Sequence, residues 1–310
     1  MFVDLREASG ATPAHADVCI IGAGAVGIAL ALALSRSRLR VLVLENGGLT
    51  AEPGGRGIYQ VVAGSAPRIA ADATRRLYLG GNTNHWGANC RPLDAVDFEA
   101  REWIPHSGWP INRQQLQPYY ERAQGICGLS DFRWYDPEVC RLQVANRPLA
   151  LDSSPLASRV VQQCPVGSFA DLHRQRLEAA NNVRVFLHAR AVRLRANAGS
   201  GQVGAVELIA ADGRRAYIEA GLYVLAAGGI ENARLLLCSR AGSGDAFANE
   251  LVGRCFMEHW SADLPLGRWP YGNALAFYDV VQQAGPARVW GHLVLSDEMM
   301  RTHRVAGLAL

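Results

Sequence analysis

Apolar and polar positions fall along this chain in runs whose period separates strands from helices. Val18–Ile21 is a short apolar run, which suits a buried strand. GAGAVG follows, with glycine at Gly22, Gly24 and Gly27. Ile28–Leu34 is apolar and rich in Ala and Leu, both good helix formers. Leu39–Leu44 is apolar again and ends on Glu45. The stretch Asp17–Glu45 therefore predicts strand, glycine turn, helix, strand and acid.

The same reading extends down the chain. Met1–Ala16 reads as a loose tail. Asn46–Gly57, with its NGG, proline and GGRG, reads as a loop. Ile58–Leu79 has no clean period. Gly80–Pro92 packs glycines, amides, His85 and Trp86 into one irregular segment, a composition that loops use for function. Asp97–Trp103 predicts a helical turn. Ile111–Gly128 predicts a helix with Asn112 as N-cap and an apolar face of Leu116, Tyr119, Tyr120, Ala123 and Ile126. Phe132–Ser154 looks irregular, and Phe169–Asn181 helical. Strands are predicted at Val183–Leu187, Val192–Arg195, Val203–Ile209 and Arg214–Glu219, the last two joined at Asp212-Gly213. Leu222–Ala226 then enters GGIENARLLL, a second apolar strand that ends in glycines before a helix. Leu264–Leu266, Trp269–Tyr271, Val280–Val281 and Arg288–Leu295 are β-like, and the chain reads as stopping mid-element at Val305–Leu310.

Composition narrows the classes. The chain has 310 residues and is 49% hydrophobic, ample for one large core or two domains. A net charge of +3 argues for neither nucleic acid nor an anionic membrane as partner. All 31 basic residues are arginine, which excludes lysine Schiff bases and Walker-type loops. Seven scattered cysteines, none spaced as CxxC, predict neither a disulfide framework nor a metal site, and they fit a reducing cytoplasm. Val18–Leu34 runs 17 residues without charge, short of the roughly 20 that span a bilayer.

The glycine turn carries the first chemical expectation. Gly22 lets the chain turn sharply out of the strand. Gly24 lets a pyrophosphate approach the backbone, and Gly27 lets the helix lie close on the sheet. The helix N-terminus offers free N–H groups to the phosphates. Glu45 lies 18 positions after Gly27, where a carboxylate can accept hydrogen bonds from an adenosine ribose and would repel a 2′-phosphate. The bland alternative is a buried βαβ unit that binds nothing. NAD and FAD are equally served by this stretch alone.

Three stretches together resemble one family, the glucose–methanol–choline oxidoreductases, which are FAD-dependent alcohol dehydrogenases and oxidases. The first is IGAGAVG…LVLE. The second is RLYLGGNTNHWGANCRPLDAVDF (Arg76–Phe98) with GWPINRQQLQPYYERA after it, similar to the family's flavin-contacting loop and following helix. The third is LYVLAAGGIENARLLLCS with VGRCFMEH, similar to the second signature region. Asn232 and Ala233 depart from the Ser/Thr-Pro usual there, and Arg240 from a usual Gly.

The resemblance implies an α/β fold: a Rossmann-like FAD-binding domain with a β-meander, plus the start of an α+β substrate domain. The expected organisation is a tail at 1–16, an FAD-binding domain at 17–250 with an inserted flavin-contact loop and helices at about 58–160, and an incomplete substrate-binding domain at 251–310. It implies FAD as cofactor and a small-molecule alcohol, such as a sugar or polyol, as substrate, with hydride passing to flavin N5. Gly22, Ala23, Gly24, Ala25 and Gly27 would line the pyrophosphate, and Glu45 the ribose. Gly80, Gly81, Asn82, Thr83 and Asn84 would lie along the flavin, with Ala227 and Gly228 near the pyrophosphate. Val192 falls where relatives meet adenine through backbone. His85 sits where some relatives bond the flavin ring covalently; non-covalent packing by His85 and Trp86, or a purely structural histidine, are the alternatives. The family's catalytic histidine lies in a C-terminal segment without counterpart here, so no catalytic residue is assigned. That leaves two readings, an alcohol oxidoreductase given as a fragment or naturally short form, or a non-catalytic flavoprotein, either a truncated pseudoenzyme or one subunit of a split enzyme completed by a partner chain. His259 is a weaker candidate at the junction of the domains; His106, His173 and His188 are read as ordinary.

Overall fold

The computed structural model describes residues 1–7, 14–52, 75–151, 154–197, 199, 201–210, 213–240, 244–257 and 275–307. His259, Asp212 and the β-like pieces at 264–271 lie outside the described residues. In chain order the strands are β1 (Phe2–Asp4), β2 (Ala14–Ile21), β3 (Val41–Leu44), β4 (Asn89–Cys90), β5 (Leu156–Gln163), β6 (Val183–Leu187), β7 (Arg190–Ala196), β8 (Val203–Ile209), β9 (Arg215–Leu225), β10 (Gln282–Ala284) and β11 (Ala287–Leu295). The α-helices are α1 (Ala25–Leu34), α2 (Arg113–Cys127), α3 (Pro137–Arg141), α4 (Phe169–Glu178), α5 (Gly229–Ser239), α6 (Ala276–Asp279) and α7 (Asp297–His303). Two compact units result, residues 1–86 with 167–256, and residues 87–166 with 257–310.

The first unit is a Rossmann-like α/β fold on a seven-stranded sheet of order β1-β6-β3-β2-β9-β8-β7. β1, β6, β3, β2 and β9 pair in parallel. β9, β8 and β7 form an antiparallel meander. Parallel strands must be covered on both faces, which is why β3 reads as an unbroken apolar run and is buried along its whole length. The core joins Cys19, Ile21, Leu42, Leu44, Phe186, Val206, Leu208, Ile218 and Leu235. α1 buries Gly27, Ile28, Ala31 and Leu32.

The second unit holds a four-stranded sheet, β10-β11-β5-β4, whose pairings are all antiparallel. Trp134, Cys140, Val144, Val160, Phe277 and Val289 form its core. The β10–β11 turn places Gly285 at φ +53°, under the ring of Trp134, where a Cβ would lie 2.8 Å from the indole.

Several expectations are corrected. Phe2–Asp4 is not a loose tail; it pairs with β6 and completes the edge of the parallel sheet. The strands expected at Arg214–Glu219 and Leu222–Ala226 are one strand, β9, because β2 pairs along it from Ile218 to Leu225. The helical turn expected at Asp97–Trp103 is a 3-10 turn at Ala95–Phe98, set by an Asp94–Asp97 capping box. Tyr119 is exposed instead of packed. Residues 87–166 group with residues 257–310, and β5 pairs with β11 over seven positions. By contrast, α2 forms as expected, with Asn112 and Gln115 closing a capping box and Gly128 ending the helix at φ +65°.

Candidate cofactor cradle

Three backbone turns, far apart in sequence, meet at the ends of β2 and β9. The first is the GAGAVG turn. Gly22 adopts φ +107°, and a Cβ there would lie 2.6 Å from the carbonyl oxygen of Ala226. A Cβ on Gly27 would collide with the Gly22 carbonyl, so glycine at this position sets how closely α1 meets the turn. The second turn is a 3-10 turn at Gly81–Asn84. Gly80 donates its N–H to the Ala23 carbonyl at 2.9 Å, and a Cβ on Gly81 would lie 3.2 Å from the Gly24 Cα. The third turn follows β9. Ala226 donates to the Ile21 carbonyl at 2.8 Å, continuing the sheet ladder.

What these turns leave open is as informative as what they fill. Among the described residues, a Cβ on Gly24, Gly228 or Gly229 would meet no atom within 4 Å beyond its own chain neighbours and helix backbone. Gly22, Gly27, Gly80 and Gly81 are closed against protein, whereas at Gly24 and the start of α5 no described atom fills the place of a Cβ. Two glycine-edged helix starts, α1 and α5, thus follow the ends of the adjacent parallel strands β2 and β9. That geometry fits a diphosphate, which needs close backbone approach and N–H donors.

Glu45 sits under the first turn with 6% of its surface exposed. Its Oε2 accepts the Ala23 N–H and its Oε1 the Gly47 N–H, each at 3.0 Å. Burial pushes its pKa up, opposed by the N–H groups of Gly47, Ala23 and Asn46 and by the nearby His188. Three N–H donors leave the carboxylate one of its about four acceptor sites, so it can hold the turn and still accept a hydroxyl. Ala25 opens α1.

The side chains of the second turn face the protein. Thr83 is buried, donating to the Gly80 carbonyl at 2.7 Å and accepting the Phe169 N–H at 3.0 Å. Asn84 donates to the carbonyls of Leu79 and Gly81, both at 2.9 Å. Asn82 accepts the Arg76 N–H at 3.0 Å. Trp86 donates to the Gly167 carbonyl and stands edge-on to Phe169 at 6.0 Å. These four residues shape the turn. His85, at its end, is exposed, and its ring makes no hydrogen bond among the described residues.

In the third turn, Asn232 spans the glycines. Its Oδ1 accepts the Ala227 N–H at 3.0 Å and its Nδ2 donates to the Leu225 carbonyl at 3.2 Å. Val192 stands apart from the three turns, three strands from β2 in the sheet order. The β7–β8 register jumps from Ala191↔Leu208 to Arg193↔Glu207. That bulge takes Val192 out of the ladder, leaving its backbone groups for another partner.

Sequence reasoning missed His188. Its Nδ1 faces Asp4 Oδ1 at 2.9 Å and its Nε2 faces Glu52 Oε2 at 3.0 Å. Its own N–H bonds the Gly47 carbonyl at 3.0 Å, behind the Glu45 loop. No local motif links Asp4, Glu52 and His188, because β1 reaches β6 across nearly the whole nucleotide unit. His173 is buried edge-on to Phe169 at 5.3 Å, a packing role. Among the described residues no cluster of His, Cys, Asp and Glu could hold a metal ion, and no helix is long and apolar enough to cross a membrane.

The sequence profile of the FAD dependent oxidoreductases matches residues 17–246. The 6'''-hydroxyparomomycin C oxidase of Streptomyces lividus is 29% identical over 293 residues, covering 77% of this chain and 53% of that protein. Among solved structures, pyridoxine 4-oxidase from Mesorbium loti matches at TM-score 0.49 and 20% identity, over 72% of this chain and 51% of that one. A formate oxidase matches at TM-score 0.49 and 18% identity, over 74% of this chain and 48% of that one. The chain spans about half the length of the relatives it matches.

Proposed function

The chain belongs to the FAD-dependent oxidoreductase family, and from that premise we propose that it holds FAD for oxidation of a small-molecule alcohol at its CH–OH carbon, in the manner of the glucose–methanol–choline enzymes. The observation that carries this reading is the meeting of the three turns through Gly22, Gly80, Gly81 and Ala226, with no described atom in the place of a Cβ at Gly24 or Gly228. The alcohol chemistry rests on the motif stretches at Arg76–Phe98 and Leu222–Ser239.

The chemistry FAD supplies when bound is acceptance of a hydride. The chain's own residues bind and orient. Gly24 and the first N–H groups of α1 take the diphosphate, with Ala227 and Gly228 on its other side. Glu45 accepts the ribose hydroxyls. The bulged backbone at Val192 meets the adenine edge. The Gly80–Asn84 turn, braced by Thr83 and Asn84, would carry the flavin side, and the exposed His85 follows directly at the end of that turn. No residue of this chain is assigned as the base that takes the hydroxyl proton.

A visible spectrum of the purified, FAD-supplemented chain tests the reading. Bound flavin that an alcohol bleaches without oxygen establishes it in full. Bound flavin that no sugar, polyol or simple alcohol bleaches restricts the chain to holding the cofactor, with a second polypeptide supplying the base. Failure to take up FAD overturns the reading. Acid precipitation decides the chemistry at His85: flavin retained in the pellet, and lost in His85→Ala, means a covalent bond; flavin released to the supernatant means none.

A further inference from the structure

Beside the third turn lies a charged cluster that neither the motifs nor the fold requires. Glu231 stands in the first turn of α5 with its side chain 13% exposed. Its Oε1 accepts Arg75 Nη1 at 2.6 Å, and its Oε2 accepts Arg234 Nε at 2.7 Å. The Arg75 side chain is 14% exposed, and it precedes Glu231 by 156 positions. Arg75 leads directly into the segment that forms the Gly48–Tyr78 bridge and then the Gly80–Asn84 turn. Glu231 lies three positions past Gly228, in the first turn of the helix that the third turn leads into. The pair therefore ties the second turn to the third at a point where their glycines provide no side-chain contact.

The charge arrangement makes the placement informative. A lone carboxylate in this first turn would repel a diphosphate held at Gly228. Two guanidiniums bind the two oxygens of this carboxylate and offset that repulsion. Exposed ion pairs hold little, but one this far withdrawn from water loses much more when a partner is removed, because a charge stays behind unpaired.

We propose that Arg75, Glu231 and Arg234 form a positioning clamp that fixes the spacing of the second and third turns and so sets the affinity of the cradle for the diphosphate of FAD. The proposal rests on the reading that FAD occupies this cradle. The clamp residues act through the turns and do not themselves touch the cofactor.

The test is FAD titration by calorimetry on the full chain and on Arg75→Gln, Glu231→Gln and Arg75→Lys, with visible circular dichroism of the bound flavin and unfolding midpoints measured without FAD. The two glutamine variants change the local charge in opposite senses. A simple charge effect would weaken binding in Arg75→Gln and tighten it in Glu231→Gln. A clamp weakens both, by about tenfold, within the range of coupling between linked sites, and alters the flavin dichroism of both. Arg75→Lys, which keeps the charge and the reach, recovers most of the affinity. Glu231→Gln binding as tightly as the parent overturns the clamp, as does Arg75→Lys binding no better than Arg75→Gln. A parent chain that binds no FAD overturns the cofactor reading and the clamp with it; a parent that binds and variants that match it overturn the clamp alone.

Discussion

The main-chain N–H of Ala23 donates to the carboxylate of Glu45 at 3.0 Å, across 22 positions of sequence. The glycine turn is thereby held by the same acid that the sequence pattern assigns to the ribose. Glu45→Gln replaces one acceptor oxygen with a donor, so the N–H of Ala23 or Gly47 loses its partner. The expected cost is about 1–3 kcal/mol of stability, read from urea unfolding at neutral pH. The dependence on acid has a definite sign. Burial raises the folded pKa of Glu45 above its ordinary 4.5. The cost of burying its charge is full above that raised value and is relieved as the pH falls through it. The gap between parent and Glu45→Gln therefore changes across that window, and a gap that stays constant with pH contradicts a buried, charged Glu45.

Gly22 and Gly24 belong to one motif but face different neighbours, and alanine separates them. At Gly22, φ +107° and the Ala226 carbonyl 2.6 Å from a new Cβ make Gly22→Ala destabilising by more than about 2 kcal/mol. At Gly24 the backbone is extended and nothing lies within 4 Å. Gly24→Ala leaves the unfolding midpoint unchanged or gains up to about 1 kcal/mol, while FAD binding falls. Equal loss of stability in the two variants would show that the space at Gly24 is filled by protein.

Asp4 gives the acid limb of stability a named component. Burial alone would raise its pKa, but hydrogen bonds from Arg6 and the facing His188 outweigh it and hold Asp4 at about 2. Its contribution is present above the ordinary 3.8 and is lost as the pH falls through 2. Asp4→Asn flattens the unfolding midpoint between those values; an unchanged slope would place the acid limb elsewhere.

Thiol alkylation followed by mass spectrometry reads a third environment. Burial pushes Cys19 up to about 12 and Cys140 to about 11. Cys90 and Cys127 share a hydrogen bond that lowers Cys127 and raises Cys90. In the folded chain at neutral pH, Cys127 is alkylated before Cys90, and Cys19 not at all. Reversal of the first pair contradicts the direction of that hydrogen bond.

Legibility in the sequence followed locality. The GAGAVG turn, the Asn112 cap and the strand Val183–Leu187 depend on neighbouring residues, and each is found as the pattern predicts. The edge strand Phe2–Asp4 carries no period of its own and exists because β6 receives it. The union of the two expected β pieces in β9 was hidden because Gly221 reads as a break, whereas β2 pairs straight past it. In the cradle, the glycines were legible as close approaches, but which of them approach protein and which face free space was not. The resemblance assigns Thr83, Asn84 and Trp86 to the flavin side; that the same side chains brace the turn through the carbonyls of Gly80, Leu79, Gly81 and Gly167 needs the folded structure to be seen.

The pairing of β5 with β11 also bears on how the protein is made. Leu156 opens β5 and Ala287 opens its partner β11, so a ribosome adding about 5–20 residues per second exposes the first for on the order of ten seconds before the second emerges. Throughout that interval β5 has a bare edge with buried-type residues Val160 and Val161 on it. The unit that contains it is assembled late and non-locally, while most of the strands and turns of the cradle have already been synthesised. A nascent chain of this topology is thus a natural client for holding chaperones during the gap between its two halves.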